Sequence, residues 1–384
     1  MAACQNLFWP TTTAFKQMRI AYLSDSTIPS RKANGIQVMN MCQAFANAGH
    51  DVTLFARPGE AIENDFHFYG VAPRFNIVKS ATIGPQRLRE WFYASRTAWQ
   101  LSRCGPFDLI YGRHLPSLAL AGRGRTPMIY EAHQPASLTG RVIERQLFRR
   151  NNLTRCVFIS EALRTAYRKR YAQLCSVETL VSHDGTTVSL TDPELCSSTP
   201  NGGRLRVGYS GSLCFGRGIE IIVGLAQKLP YLDFHFCGGS PDEVNACRAR
   251  ATGSHNMTFY GFLPPSHTRA WQSSMDVLLA PYQLSVPTVE WMSPLKIFEY
   301  MATGRAVIAS DVTVLREVLS DGRNALLVPP NDVFAWSNAL QRLSDASVRE
   351  ALGQQALADL RSTYTWKLRA ASVLQGVLKL AAAA

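Results

Sequence analysis

Lys296 and Glu299 stand three residues apart in the stretch SPLKIFEYMATGRAVIASD, which runs from Ser293 to Asp311. On a helix this spacing puts both side chains on one face. A surface ion pair between them would contribute only about 0.2–0.5 kcal/mol. The same two residue types suit a second chemistry. An ammonium neutralises a phosphate, and an ionised carboxylate, which only accepts hydrogen bonds, suits two vicinal ribose hydroxyls. Ser293 is the expected N-cap of the helix and Pro294 its first residue. A helix start presents free N–H groups and the positive end of a dipole. One helix would then bind phosphate at its tip and ribose one turn deeper.

Other stretches fit the same ligand. In GYSGSLCFGRGIE (208–220) a strand leads to Gly211, then to a loop with Gly216, Arg217 and Gly218, then to a helix. Glycines at a helix start suit a diphosphate, and Arg217 can add charge-assisted bonds. Asn34-Gly35 opens an earlier helix, where a glycine lets backbone N–H groups approach an oxyanion; a plain turn glycine explains it equally well. The loop of GFLPPSHTRAW (261–271) can pinch a flat base, although Ser266 as an N-cap accounts for most of it. His133, taken alone, reads as a satisfied interior histidine.

Several classes are excluded. The first strand–helix loop has no GxGxxG, which argues against a nicotinamide or flavin dehydrogenase. The nine cysteines and eight histidines are dispersed singly, so neither a metal site nor a disulfide framework is expected, and a reduced cytoplasmic protein is. No apolar run approaches the roughly 18 residues of a membrane span.

The elements that must position these residues alternate between strand and helix. Strand patterns occur at 19–24, 51–56, 75–80, 108–112, 127–132, 156–160 and 178–182, with helical patterns at 35–49, 86–103 and 140–151 among them. After a Ser-, Thr-, Pro- and Gly-rich break the pattern restarts, with strands at 205–211, 232–239, 257–261, 276–281, 306–310 and 324–329, and helix over the last 50 residues. The expected class is α/β, with two doubly wound Rossmann-like domains facing across a cleft. The expected divisions are a disordered extension at 1–17, a first domain at 18–185, a linker at 186–203, a second domain at 204–362 and a C-terminal segment at 363–384.

Charge is uneven. The chain carries +12 overall, yet residues 1–185 hold 23 Lys and Arg against 12 Asp and Glu, and the remainder 17 against 16. An anionic partner is expected on the first domain. In RLREWFYASRTAWQLSR (87–103), Arg87, Arg89, Arg96 and Arg103 interleave with Trp91, Phe92, Tyr93 and Trp99, which suits a membrane interface as well as it suits an ordinary domain helix. The basic excess lacks any nucleic-acid recognition motif, so no nucleic-acid partner is expected.

These residues together resemble the GT-B fold glycosyltransferases of family 4, a group of retaining enzymes, over about residues 18–375. The most specific part is SPLKIFEYMATGRAVIASDVTVLREVLSDGRNALLVPPNDVFAWSNAL, similar to that family's C-terminal donor signature. PSRKANGIQVMNMCQAFANAGHDVTLF, IYEAHQP and FISEAL resemble its N-terminal landmarks, and YTWKLRA its segment crossing back to the first domain. The resemblance implies that Glu299 holds the ribose of a nucleotide-sugar donor and that Arg217 and Lys296 balance its diphosphate. It implies that the backbone at Gly35, Ser293 and Pro294 approaches the phosphates or sugar, and that His133 sits against the sugar. It also implies a glycan or lipid-linked acceptor, the leaving phosphate as proton acceptor and no cofactor beyond the co-substrate; the basic first domain and its 87–103 segment add the expectation of peripheral contact with the inner face of an anionic membrane.

Two departures stand out. Many family members carry an acid eight positions before the ribose acid; here that position is Trp291, with Glu290 beside it. The usual arginine after the first loop glycine is Ser212. Trp291 is expected to offer the sugar an apolar face, with Glu290 as the alternative contact. The rival readings are a nucleotide-sugar 2-epimerase of the same fold and a non-catalytic nucleotide-sugar-binding scaffold.

Overall fold

The computed structural model describes residues 17–59, 64–82, 85, 88–121, 124–188, 203–214, 216–251 and 253–377. Most of the expected linker and nearly all of the expected N-terminal extension lie outside these residues, as does Arg87.

The first half builds a seven-stranded parallel sheet from β1 (Arg19–Ile28), β2 (Asp51–Pro58), β3 (Asn76–Lys79), β4 (Leu109–Gly112), β5 (Met128–Ala132), β6 (Leu153–Phe158) and β7 (Glu178–Val181), in the order β3-β2-β1-β4-β5-β6-β7. Its central strands are mostly apolar and buried at every position of β4, β5 and β6, with Glu131 and Arg155 as the buried charged exceptions. Helices cover both faces, which is why the sequence shows continuous apolar runs rather than alternation. They are α1 (Ala33–Asn47), α2 (Asp65–Tyr69), α3 (Arg89–Arg103), α4 (Leu115–Ala121), α5 (Leu138–Leu147) and α6 (Glu161–Arg170).

The second half repeats the scheme with β8 (Arg206–Ser210), β9 (Asp233–Cys237), β10 (Met257–Gly261), β11 (Val277–Ala280), β12 (Ala306–Ser310) and β13 (Leu326–Val328), ordered β10-β9-β8-β11-β12-β13. Its helices are α7 (Ile219–Lys228), α8 (Pro241–Arg250), α9 (Pro265–Ser273), α10 (Leu295–Ala302), α11 (Val333–Arg342) and α12 (Ala346–Thr363). Strand order reverses between β1 and β4 and again between β8 and β11. The crevice at the C-terminal ends of the strands there is where such sheets hold ligands.

The last described helix, α13 (Trp366–Leu374), leaves the second domain and joins the first. Trp366, Ala370, Val373 and Leu374 pack into one core with Val38, Met41 and Phe45 of α1. Arg155 of β6, 4% exposed, fixes the far end of this helix. Its guanidinium donates to the carbonyls of Ser372 (3.1 Å), Val373 (2.5 Å) and Gln375 (2.7 Å) and to the Glu178 carboxylate (2.9 Å). A buried cation on the negative end of a helix dipole satisfies carbonyls that the helix leaves open. Arg155→Met should therefore cost about 2–4 kcal/mol of stability, the range for removing a charged partner from buried hydrogen bonds. Denaturant unfolding measures it, and a cost under about 0.5 kcal/mol, the level of an ordinary surface change, would contradict this account of the helix.

The two domains also meet directly. Ser160 Oγ donates to the Trp291 carbonyl (2.9 Å), and the N–H groups of Glu161 (2.6 Å) and Ala162 (2.9 Å) at the start of α6 donate to the carboxylate of Glu317. An acid from the second domain thus sits on the helix N-terminus of the first, where the dipole favours it.

Candidate active site

α10 is amphipathic in the sense the site needs. Leu295, Ile297, Phe298, Tyr300 and Met301 are buried, whereas Lys296 and Glu299 remain half-exposed on the remaining face. The start of the helix differs from the expectation. Pro294 is the cap residue and no side chain caps it. The Ser293 hydroxyl instead accepts the N–H of Asp184 (2.9 Å), from the segment that follows β7. A tertiary contact has displaced the local capping role, and the helix N–H groups are left without a side-chain acceptor.

Lys296 and Glu299 do not pair with each other. The Lys296 ammonium lies 3.9 Å from the ring centroid of Tyr209 and 5.3 Å from that of Tyr282. Arg217 reaches the same Tyr282 ring, at 5.8 Å. Two cations therefore converge over one aromatic floor. Burial, and then the Arg217 charge, push the Lys296 amine down from 10.5 to about 7, against the pull of Glu299. Gly211 faces this amine with φ +135°; a Cβ there would stand 3.1 Å from Nζ. The glycine keeps the backbone open toward the two cations. Tyr209 is oriented by donating its hydroxyl to the Ser212 carbonyl (2.7 Å), and Ser212 Oγ is bound to Glu243 (2.8 Å). Ser212 thus braces the loop.

Glu299 is held from a neighbouring helix. Gln272 of α9 donates to its Oε2 (3.3 Å) and to Ser210 Oγ (3.0 Å), while Ser210 N donates to the Tyr300 hydroxyl (2.8 Å). Burial raises the Glu299 carboxyl above its ordinary value, and Gln272, Arg269 and Lys296 oppose the rise. The Oε2 bond is long, so the carboxylate retains capacity to accept from a ligand.

The remaining expected residues separate. Gly35 is buried in the first turn of α1, and its N–H donates to the Lys32 carbonyl (3.1 Å) rather than standing free for an oxyanion. A Cβ there would come within 2.6 Å of the Tyr69 hydroxyl, so close packing accounts for this glycine. His133, at the end of β5, binds the buried Glu131 through Nε2. Trp291 turns its ring against the first domain's core, the cluster containing Ala132, Phe158 and Ile159, and so forms part of the domain contact. The expected free apolar face for a sugar is thereby taken up by protein. Glu290 is exposed. Sequence reasoning missed Gln272, Tyr209 and Tyr282, none of which lies within a helical turn of the residue it supports, and also Glu131, which stands only two residues before His133 in IYEAHQP. Among the described residues no three His, Cys, Asp or Glu side chains converge as a metal site.

The chain is similar to known proteins over most of its length. A model of group 1 glycosyl transferases matches residues 204–346, and a model of glycosyltransferase family 4 matches residues 35–175. A phosphatidyl-myo-inositol mannosyltransferase of Mycolicibacterium smegmatis is 24% identical over 358 residues, 89% of each chain. A D-inositol 3-phosphate glycosyltransferase of Stackebrandtia nassauensis is 33% identical over 114 residues, a match that spans 29% of this chain and only 25% of that one. Among solved structures, sucrose-phosphate synthase of Thermosynechococcus elongatus has a TM-score of 0.72 at 20% identity, covering 96% of this chain and 100% of that one. Anabaena HepE in complex with UDP and glucose has a TM-score of 0.70 at 17% identity, covering 96% and 100%. These structural likenesses establish the two-domain α/β fold.

Proposed function

The chain belongs to the group 1, family 4 glycosyltransferases, and from that premise we propose that it moves a hexose-like sugar from a nucleotide diphosphate to a hydroxyl of a glycan or lipid-linked acceptor, with retention at the anomeric carbon. One observation carries the reading: Lys296 and Arg217 converge over Tyr282 beside Gly211 and a helix start that no side chain caps. Like charges that depress one another's protonation call for an anion, and a diphosphate supplies one.

In the reaction the bond from the anomeric carbon to the diphosphate oxygen breaks and a bond to the acceptor oxygen forms on the same face. The acceptor's proton passes to the leaving phosphate. Charge grows on that phosphate, and the two cations and the α10 N–H groups stabilise it. Glu299 accepts from the ribose hydroxyls. Lys296 and Arg217 supply the positive charge without any bound ion being invoked. A 2-epimerase or an inert scaffold is not favoured, since the curated relatives are named as transferases.

A panel of nucleoside diphosphates and their sugar conjugates tests the reading by thermal shift. One nucleotide at about 100 times its dissociation constant should stabilise the protein by about 2.7 kcal/mol, and its sugar conjugate should be consumed when an acceptor is added. No shift with any member, together with no hydrolysis of any conjugate, would sink it.

The acceptor side favours an anionic lipid surface. α3 exposes Trp91 (42%), Phe92 (50%) and Trp99 (56%), with Arg89, Arg96 and Arg103 beside them at the surface. No helix among the described residues is long and apolar enough to cross a membrane, so contact would be peripheral. Vesicles with anionic lipid should float the protein at low salt and lose it as salt rises. Equal recovery with neutral vesicles would reject the membrane contact.

A further inference from the structure

His133 has one nitrogen engaged. Nε2 is bonded to Glu131 Oε1, and Glu131 is 0% exposed. Nδ1 has no protein partner among the described residues. The carboxylate is fixed on both oxygens. Gln37 Nε2 donates to Oε1 (2.8 Å), and the guanidinium of Arg369 donates to Oε2 (3.1 Å). Arg369 comes from α13 and is itself 3% exposed. It also donates to the carbonyls of His183 (2.9 Å) and Ser182 (3.2 Å), in the segment that passes to the second domain. Its planar fork is therefore held at three acceptors and cannot swing away from Glu131.

An ionised carboxylate can only accept. The proton of the His133–Glu131 bond must then belong to Nε2, which leaves the lone pair on Nδ1. We propose that Arg369 is a positioning residue for His133: through Glu131 it fixes the Nε2–H form of the ring and keeps Nδ1 bare, as the acceptor available to one hydroxyl of the transferred sugar. The sugar half of this inference rests on the transferase reading; the positioning half does not.

The electrostatics agree with the geometry. Burial would raise the Glu131 carboxyl, but Arg369 and His133 overcome it and hold the group down to about 2. Burial and the nearby Arg113 push His133 down to about 4 against Glu131, with Arg369 acting in the same direction as Arg113. Asp184 completes the charged set, 3.8 Å from Arg369. A ring this reluctant to protonate makes a poor proton sink, so its role is to accept a hydrogen bond, not to serve as general base.

The test uses the full chain with 15N-labelled histidine and long-range 1H–15N correlation of ring nitrogens. The wild type should show His133 with Nε2 protonated and Nδ1 bare. Glu131→Gln should reverse this, because Arg369 claims the amide oxygen and the amide NH2 then faces both the ring and Gln37, whose own amide turns its oxygen toward it, leaving Nε2 as acceptor and the proton on Nδ1. Arg369→Lys keeps the charge and loses the fork. It should give mixed tautomers and lower kcat/KM by about 10–100-fold, the size of effect seen when the partner that orients a metal-bound histidine is lost. It should also lose the wild type's discrimination against the deoxy sugar whose missing hydroxyl would meet Nδ1. Should Arg369→Lys fail to fold, Glu131→Gln still decides by the nitrogen shifts. A wild-type ring protonated on Nδ1, or unaltered shifts in both variants, would overturn the positioning. If the wild type turns over no nucleotide sugar while the shifts behave as stated, the transferase reading fails with the sugar half of this inference, and the positioning of His133 stands.

Discussion

Lys296→Met should lower turnover by about 10²–10³-fold, the cost of removing one preorganised donor from developing negative charge, and should leave the folded protein at least as stable as before. The stability half follows from the state of the amine. Its folded value lies near 7 and its ordinary value at 10.5, so between these limits the unfolded chain binds the extra proton. A group depressed in this way costs stability in full below pH 7, and the cost fades as pH rises toward 10.5. Removing it relieves the folded protein of a poorly solvated charge. A diphosphate reverses the balance: bound beside the amine, it raises the lysine toward its ordinary value. Donor binding should therefore take up a proton just above pH 7, and donor affinity should fall as pH rises further. Calorimetry in buffers of different ionisation enthalpy reads the proton directly. Lys296→Met should abolish the uptake together with the turnover. A variant that loses turnover yet still takes up the proton would place the diphosphate elsewhere.

Glu299→Ala should weaken nucleotide binding by about 1.5–3 kcal/mol, the scale for hydrogen bonds to a charged group, or about 10–150-fold in affinity. The effect should appear with the nucleoside diphosphate alone, because the carboxylate is assigned to ribose and not to the sugar. Unfolding temperature without ligand should hardly move. Among the described residues the fold would lose the 3.3 Å bond from Gln272, whose amide keeps Ser210 Oγ at 3.0 Å. Titration calorimetry and a melting curve together separate the cases. If the free protein loses several degrees and affinity survives, Glu299 serves α10 and not the ligand.

What the sequence determined by itself rests on short-range regularities. Apolar runs such as AVIAS, buried at all five positions of β12, announce strands covered on both faces. Their alternation with helical periods dictates two doubly wound sheets. The helix carrying Lys296 and Glu299 was legible for the same reason: a three-residue spacing fixes their common face whatever surrounds them. The glycine loop before Arg217 was legible as a turn between a strand and a helix.

Tertiary structure alone decided which groups the site residues meet. Ser293 has the chemistry of a cap, yet its hydroxyl bonds to Asp184, 109 residues away. Gly35 suited an anion cradle and a plain turn equally by its local sequence, and it makes room for Tyr69. Trp291 occupies the position of a family acid, and packing against the first domain sets its direction. Arg369 had no local signal, because the acid it serves is 238 residues earlier in the chain. Periodicity reports only the neighbours a residue has within its own helix or strand. Hydrogen bonds and packing across the domain contact depend on how complete elements are brought together, and competition among those longer contacts settles roles that local spacing leaves open.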